Sequence, residues 1–353
     1  MQKLSNSKKS CDYFSDYTLR PIKKSDLTDL CKLATESGTG FTSLPNSREA
    51  LSIKIKRSIE SFSKDIKDLT SEYYLFGLEY NLNNQIVGVC AIESNVGVNE
   101  LFYHYKIGKL TKATKTPPIR KTHEILTLSS ELNHTTEICT LFLLPEHRKP
   151  LIGQFLSRSR FLFLKRFPER FTEEIIAEMR GVCEKDGTSP FWSALGSKFI
   201  DLSFPDADYL KGRGDKQFIT DLIPETRIYS CMMPANAQKC ISKTHKNTTP
   251  AKILLEKEGF KFEGYIDLFD AGPTMHANIS NIKTCKITKN YHIQIIDNNK
   301  TKSKFILSNN KISWRAVLAE GYVENNKLHI RQKTAHQLNL NDGDLAQAAL
   351  INT

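Results

Sequence analysis

The sequence predicts an α+β fold: a mixed sheet flanked by helices, a second α/β segment, and a small C-terminal β-rich domain with barrel character. Three observations lead there. Over the first two hundred residues the patterns run strand, helix, helix, hairpin, buried strand, basic turn, helix, strand, helix. Two apolar runs are joined by Asn81-Leu82-Asn83-Asn84, a β-hairpin signal. After about residue 278, Asn and β-branched residues rise and short strand patterns recur.

Residues 1–16 read as a polar tail, and Thr18–Ile22 as a short strand. Ser25-Asp26 caps a helix whose apolar residues Leu27, Leu30, Leu33 and Ala34 recur at helical spacing, and Gly38-Thr39-Gly40 stops it. A second helical pattern spans about Arg48 to Phe62. Tyr73–Tyr80 and Gln85–Glu93 form the hairpin. The stretch 103–122 carries Lys106, Lys109, Lys112, Lys115, Arg120 and Lys121 with no acid and no periodicity, and reads as a long basic loop. Ile138–Leu144 is an unbroken run suited to a buried strand. A turn, Pro145–Pro150, leads into a helix from about Leu151 to Arg166. Glu174–Arg180 reads as another buried strand, and Ser189-Pro190-Phe191-Trp192 opens a short helix ended by Gly196. Helices over about 206–222 and 235–243 alternate with short strands near 227–231 and 260–268. The last strands are expected at Ile287–Ile296, Lys304–Leu307, Ile312–Leu318 and Lys327–Ile330, followed by a short helix, a turn at Gly343 and a final strand. The 353 residues thus divide into a tail 1–16, a first domain 17–200, a second α/β segment 201–277 and a C-terminal domain 278–353.

Lys plus Arg total 50 and Asp plus Glu 39, a formal net charge of +11. That excludes an acidic disordered chain and leaves nucleic acid, a membrane surface or a small polyanion as partner. The first ten residues are polar and basic and do not read as a secretory signal. No apolar run approaches the roughly 18 residues a membrane helix needs. Eight cysteines lie scattered without a C-x-x-C pair, which suits reduced thiols in a cytoplasm and argues against structural zinc. The histidines show no H-x-x-x-H spacing, so no metal is expected. Few aromatics interleave the basic stretch, a weak nucleic-acid signal.

A buried strand followed by Arg148-Lys149-Pro150-Leu151-Ile152-Gly153 and a helix suits phosphate binding, because the helix N-terminus offers free N–H groups and partial positive charge. Arg148, Lys149 and Arg158 or Arg160 add full charges. The alternative is a solvated basic turn before an ordinary helix. The element order resembles the GCN5-related N-acyltransferase fold, whose pyrophosphate loop has the pattern Q/R-x-x-G-x-G/A and binds coenzyme A. Here Arg148 and Gly153 match, while Leu151 stands at the first glycine position.

Further motifs carry a more specific likeness over roughly residues 17–350. They are Gly40-Phe41-Thr42-Ser43-Leu44-Pro45, Cys90-Ala91-Ile92-Glu93 and Glu137-Ile138-Cys139-Thr140-Leu141-Phe142-Leu143. Ala177-Glu178-Met179-Arg180-Gly181, Ser189-Pro190-Phe191-Trp192, Leu255-Glu256-Lys257-Glu258-Gly259-Phe260 and Gly272-Pro273-Thr274 follow in the same order. Together they resemble the arginine N-succinyltransferase family. The resemblance implies transfer of a succinyl group from succinyl-CoA to the α-amino group of L-arginine, the first step of a succinyl-dependent arginine catabolism. It implies succinyl-CoA as co-substrate, no prosthetic group, and a homo- or hetero-oligomer.

It also implies site residues. His245 matches the family's catalytic histidine, and an imidazole of pKa near 6.5 can both take a proton from the amine and return one to the thiolate. Its alternative is a polar-loop histidine bonded to backbone. Leu141 matches the succinyl-CoA contact on the central strand, made through its main chain. A backbone N–H from Leu141 to Leu143 is the candidate oxyanion donor. Arg148, Lys149 and Gly153 are expected at the coenzyme A phosphates. Arg180, with Glu178 on the same strand face, is the candidate for the succinyl carboxylate; a structural Glu178–Arg180 pair is the alternative. Glu93, Asp267 and Asp270 are candidates for the guanidinium, Asp270 with a turn role as its alternative. Other functions left open are acyl transfer to ornithine or another amine and, more distantly, nucleic-acid binding without catalysis.

Overall fold

The computed structural model describes residues 13–38, 41–66, 68–184, 186–213, 217–297 and 303–351. Of the tail expected over 1–16, residues 1–12 lie outside the described residues, as does the helix stop at Thr39-Gly40; Tyr13–Asp16 instead form a short 3₁₀ turn that buries Phe14. Strand β1 (Tyr17–Pro21) leads to α1 (Leu27–Ser37) and α2 (Arg48–Ser63). Asp26 precedes α1 without capping it; its carboxylate binds the Arg20 guanidinium and the Lys23 N–H instead. The hairpin β2 (Tyr73–Tyr80) and β3 (Gln85–Glu93) follows where expected.

The basic stretch is not a loop. It forms the hairpin β4 (His104–Thr114) and β5 (Ile119–Ser129), paired from His104↔Ser129 to Thr114↔Ile119. Its far half is exposed on both faces, so no alternation of apolar and polar residues marks it in sequence. Cross-strand contacts such as Thr111 to Thr122, 2.8 Å, hold it.

Next come β6 (Thr136–Leu143), α3 (Ile152–Arg166) and β7 (Glu174–Glu178), then the short α4 (Pro190–Ala194), whose Ser189 cap accepts from the Trp192 N–H. The helix expected over 206–222 is two, α5 (Phe204–Arg213) and α6 (Gln217–Leu222). After β8 (Ile228–Tyr229) come α7 (Ala235–Cys240) and α8 (Thr249–Glu258). Strands β9 (Lys261–Ile266) and β10 (Pro273–Asn278) then enter the sheet. The strand order is β1-β2-β3-β6-β7-β10-β9-β4-β5-β8, so β10 sits against β7 and one ladder joins segments far apart in sequence.

The C-terminal part holds α9 (Lys283–Ile287), β11 (Lys289–Ile296), β12 (Ser303–Asn309), β13 (Ala316–Glu324), β14 (Lys327–Arg331), α10 (Gln332–Leu338) and β15 (Leu345–Ile351). The cycle β12-β15-β11-β14-β13 closes through β12–β13 pairing into the barrel the sequence suggested. The strand expected over Ile312–Leu318 starts later, at Ala316, because Asn309 holds the Ser313 carbonyl and Arg315 N–H. Trp314 is thereby buried against Phe76 and Phe163, locking barrel to sheet. The main core fills the space between β1–β3, β6 and helices α1–α3; a second core lies under α4–α7 and a third inside the barrel.

Candidate active site

The site begins where two parallel strands part. β6 and β7 pair only at Thr136↔Ile175 and Glu137↔Ile176, although β6 runs to Leu143 and β7 to Glu178. A cavity opens beyond, lined by Ile138, Cys139, Thr140 and Leu141 on one side and Ala177, Glu178, Met179 and Arg180 on the other. An extended amide chain can add to such free edges as a strand adds to a sheet.

The β6 edge is bent. Val89 faces Phe142 and Ala91 faces Cys139, so Thr140 and Leu141 together oppose Cys90, a β-bulge. Thr140 takes a φ of 55°, a conformation uncommon outside glycine and asparagine. Its hydroxyl donates to the Ser43 carbonyl at 3.3 Å, which leaves the Tyr73 hydroxyl as donor to it at 3.2 Å. The bulge takes Leu141 out of the β3 ladder at the cavity wall.

At the far end of β6 the chain turns into α3. Leu151, just before the helix, has a φ of 69° and packs its side chain against the main core. It therefore does not cover the first turn. A Cβ at Gly153 would meet nothing within 4 Å, so open space stands over that turn. Arg148 donates Nε to the Leu143 carbonyl at 3.0 Å. Lys149 Nζ stands over the rings of Tyr13, Tyr17 and Tyr80 at 5.4, 5.8 and 5.9 Å. Both cations flank the helix N-terminus. Arg158 does not: it is buried against Glu258 at 3.0 Å and bonds Thr284. Arg160 lies on the cavity wall, far along the helix.

The second wall is a charged cluster. Lys211, mostly shielded from solvent, donates to Asp267 and lies 3.7 Å from Glu178. Burial opposes its charge, but Asp267 and Glu178 outweigh burial and raise its pKa well above the ordinary value. Glu178 also lies 3.1 Å from Nε2 of buried His104. Asp270 spends both oxygens on backbone, accepting from Gly181 N–H at 2.7 Å and Gly272 N–H at 2.8 Å. A Cβ at Gly181 or Gly272 would fall 2.3 or 2.0 Å from a backbone oxygen, so only glycine fits this crossing. Burial, then Asp267, push the Asp270 carboxyl up to about 7.

The loop carrying His245 is tied to the same crossing. Gly181 bridges Thr244, and the His245 N–H donates to the Arg180 carbonyl at 2.8 Å. His245 stands half-buried at the rim; Thr248 and Ala251 of the same segment line the cavity itself. Its Nδ1 accepts the Asn247 N–H at 3.2 Å, so the neutral ring carries its hydrogen on Nε2. Burial, with Arg180 and Lys246 nearby, lowers the ring's pKa below 6.5, which keeps it neutral at pH 7.

The sequence-derived residues Leu141, Glu178, Arg180, Asp267 and Asp270 thus meet at one cavity, with His245 at its rim. Leu143, Arg148, Lys149 and Gly153 gather at the other end of β6. Arg180 lies beyond the strand end, not on β7, and its Nε is buried without a hydrogen-bond partner. Glu93 stands apart, in an adjoining cleft, where it binds Arg57 at 2.7 Å and Ser71 at 2.9 Å. The two cavities share Thr42, Ser43, Glu137, Cys139, Glu178 and Lys211. Lys211 and His104 carried no sequence signal, and Glu137 only its place in a family-like motif. Among the described residues no group of three or more His, Cys, Asp or Glu is placed to hold a metal, and no helix is long and apolar enough to cross a membrane.

A family model described as the arginine N-succinyltransferase beta subunit matches residues 17–284. An arginine N-succinyltransferase of Yersinia pseudotuberculosis is 36% identical over 334 residues, covering 92% of this chain and 95% of that protein. The chain belongs to the arginine N-succinyltransferase family. A second member, from Escherichia coli, is 38% identical over 304 residues, 85% of this chain and 88% of that one. The solved structure of arginine/ornithine succinyltransferase subunit AI from Pseudomonas aeruginosa superposes with a TM-score of 0.88 at 27% identity, covering 96% of this chain and 99% of that chain. Members of this family are acyl-CoA-dependent transferases.

Proposed function

We propose that this protein transfers the succinyl group of succinyl-CoA directly to the α-amino group of L-arginine. The observation that carries the reading is the parting of β6 from β7. It leaves the β6 edge from Ile138 to Leu143 unpaired by β7, with the α3 N-terminus beyond its end and beside it a cavity whose wall residue Arg180 holds the His245 loop. In this reading the coenzyme A phosphates rest at Arg148, Lys149 and the open first turn at Gly153. The pantetheine amides pair with the main chain of Leu141 to Leu143.

The amine nitrogen attacks the thioester carbonyl carbon, forming the C–N bond. A backbone N–H of the β6 bulge stabilises the oxyanion. His245 releases the Asn247 N–H, takes the amine proton at Nδ1, and the imidazolium returns a proton to the sulfur as the C–S bond breaks. A neutral histidine at pH 7 is the form this needs. Cys139, the cysteine on the cavity wall, is a poor rival nucleophile, because burial, then Glu137, push its thiol far above the ordinary range. That favours direct transfer over an acyl-enzyme.

The adjoining cleft receives the amino acid. Among the described residues its lining includes Glu49, Glu93, Glu100, Glu137 and Glu178 against Lys54, Arg57 and Lys211, a balance suited to a guanidinium. Asp267 and Asp270 are engaged with Lys211 and backbone, so they shape the wall. Arg180 offers a carboxylate contact at the mouth. The segment 201–277 completes the site, since it supplies Lys211, His245, Asp267 and Asp270. A cytoplasmic location and a homo- or hetero-oligomer accompany this reading.

Ornithine is the second reading for the acceptor, favoured by the likeness to the Pseudomonas arginine/ornithine succinyltransferase subunit. Mass spectrometry of the product from succinyl-CoA with L-arginine, L-ornithine or L-lysine decides. A succinylated arginine formed fastest supports the proposal; no succinylated amino acid from any of them overturns it.

A further inference from the structure

Arg160 is 2% exposed yet lines the cavity between β6 and β7. Its partners are all neutral. Nε donates to the Ser157 carbonyl at 3.1 Å, one terminal nitrogen to the Ser157 hydroxyl at 3.1 Å, and the other to the Cys139 carbonyl at 3.4 Å. A guanidinium has five N–H groups. Three are spent, and one remains on each terminal nitrogen, the fork that fits a carboxylate.

The other buried arginines each have an acid. Arg20 has Asp26 and Glu79, Arg158 has Glu258, and Arg170 has Glu169. Among the described residues Arg160 has no carboxylate within 4.0 Å, and burial pulls its pKa down. A buried cation without a counter-charge is expensive to keep, and one that lines a cavity is compensated when an anion enters. The place is defined as well. Cys139, whose carbonyl Arg160 holds, immediately precedes the Thr140 bulge, so the cation sits under the strand where the acyl carbonyl is expected.

We infer that Arg160 selects the acyl chain, its two spare N–H groups binding the terminal carboxylate of a short dicarboxylic monothioester. This deepens the succinyl-CoA reading and rests on it. Arg180 is the rival cation. It lines the same cavity but lies beyond the end of β7, is half-buried, and holds the His245 loop through its carbonyl.

The test compares kcat/KM for succinyl-CoA and for butyryl-CoA, which lacks the carboxylate, with L-arginine as acceptor. It is run on the wild type, Arg160→Gln, Arg160→Lys and Arg180→Gln. The wild type prefers succinyl-CoA. In Arg160→Gln the succinyl-to-butyryl ratio falls by about 30-fold or more, as expected when one partner of a buried charge pair is removed. Arg180→Gln keeps the ratio. Arg160→Lys keeps the charge and loses the fork; its ratio falls by about tenfold, and it serves if the glutamine variant does not fold. An unchanged ratio in both Arg160 variants, an equal loss for both thioesters, or a ratio that collapses in Arg180→Gln instead overturns the inference. Wild-type protein that uses no acyl-CoA at all fails the functional reading itself, a distinguishable result.

Discussion

His245 has its Nδ1 tied to the Asn247 N–H and its main chain tied to Arg180, so the residue is positioned before any substrate arrives. Removing its ring as His245→Ala should lower kcat by about 10²–10⁴-fold while coenzyme A binding, measured by calorimetry, changes little. The pH profile carries the sign. The ring's pKa is lowered, and the proposed mechanism uses its neutral form as the base, so kcat/KM should fall as pH drops through a value below 6.5. An acid limb at or above the free imidazole value would contradict this. Asp270 is structural, since its carboxylate gathers the Gly181 and Gly272 amides. Asp270→Ala should destabilise the fold by about 1–3 kcal/mol through buried unpaired N–H groups, read by urea unfolding. At this scale His245 could be named a candidate from the sequence because a motif flanks it. Lys211 and Arg160 could not be read this way, because a buried cation and a solvated one look alike until the fold surrounds them.

Among the elements, β6 positions most of the chemistry in the proposed mechanism. Its apolar run announced a buried strand, but nothing in the run announced the bulge at Thr140, which arises from a register skip against β3. Thr140→Val strips the hydroxyl that holds the Ser43 carbonyl and takes the Tyr73 hydroxyl. Stability should fall by about 1–3 kcal/mol, and kcat should fall with it, seen in paired unfolding and turnover measurements. Loss of stability with full turnover would separate the bulge from catalysis. The β4–β5 hairpin is the opposite case. Its paired lysines and threonines, Lys112 opposite Lys121 among them, hide a strand behind the composition of a loop. Its far half is exposed, so Lys121→Ala should shift stability by less than about 0.5 kcal/mol in urea unfolding.

Across the whole molecule, Trp314 joins the barrel to the sheet by packing on Phe76 and Phe163, and Leu19 pairs with Ala316 from β1 to β13. Trp314→Ala should cost about 3–5 kcal/mol and lower the melting temperature of barrel and sheet together. Two separate transitions in the intact protein would deny that coupling. The barrel's closure was foreshadowed by recurring short strands. The entry of β10 beside β7 was not, since Pro273 opens it and pairing at such a distance leaves no local mark. The charge of +11 has a similar split. Arg148 and Lys149 suit the phosphates of a polyanionic thioester, while Lys109, Lys112, Lys115, Arg120 and Lys121 are exposed on the hairpin or its turn. Direct transfer between two substrates held at once is the claim on which the rest depends. Initial rates of thiol release, taken while succinyl-CoA and L-arginine are varied together, test it. Intersecting double-reciprocal lines, with no thiol released before arginine is added, are the expected result. Parallel lines, or a stoichiometric burst of thiol without arginine, would contradict it.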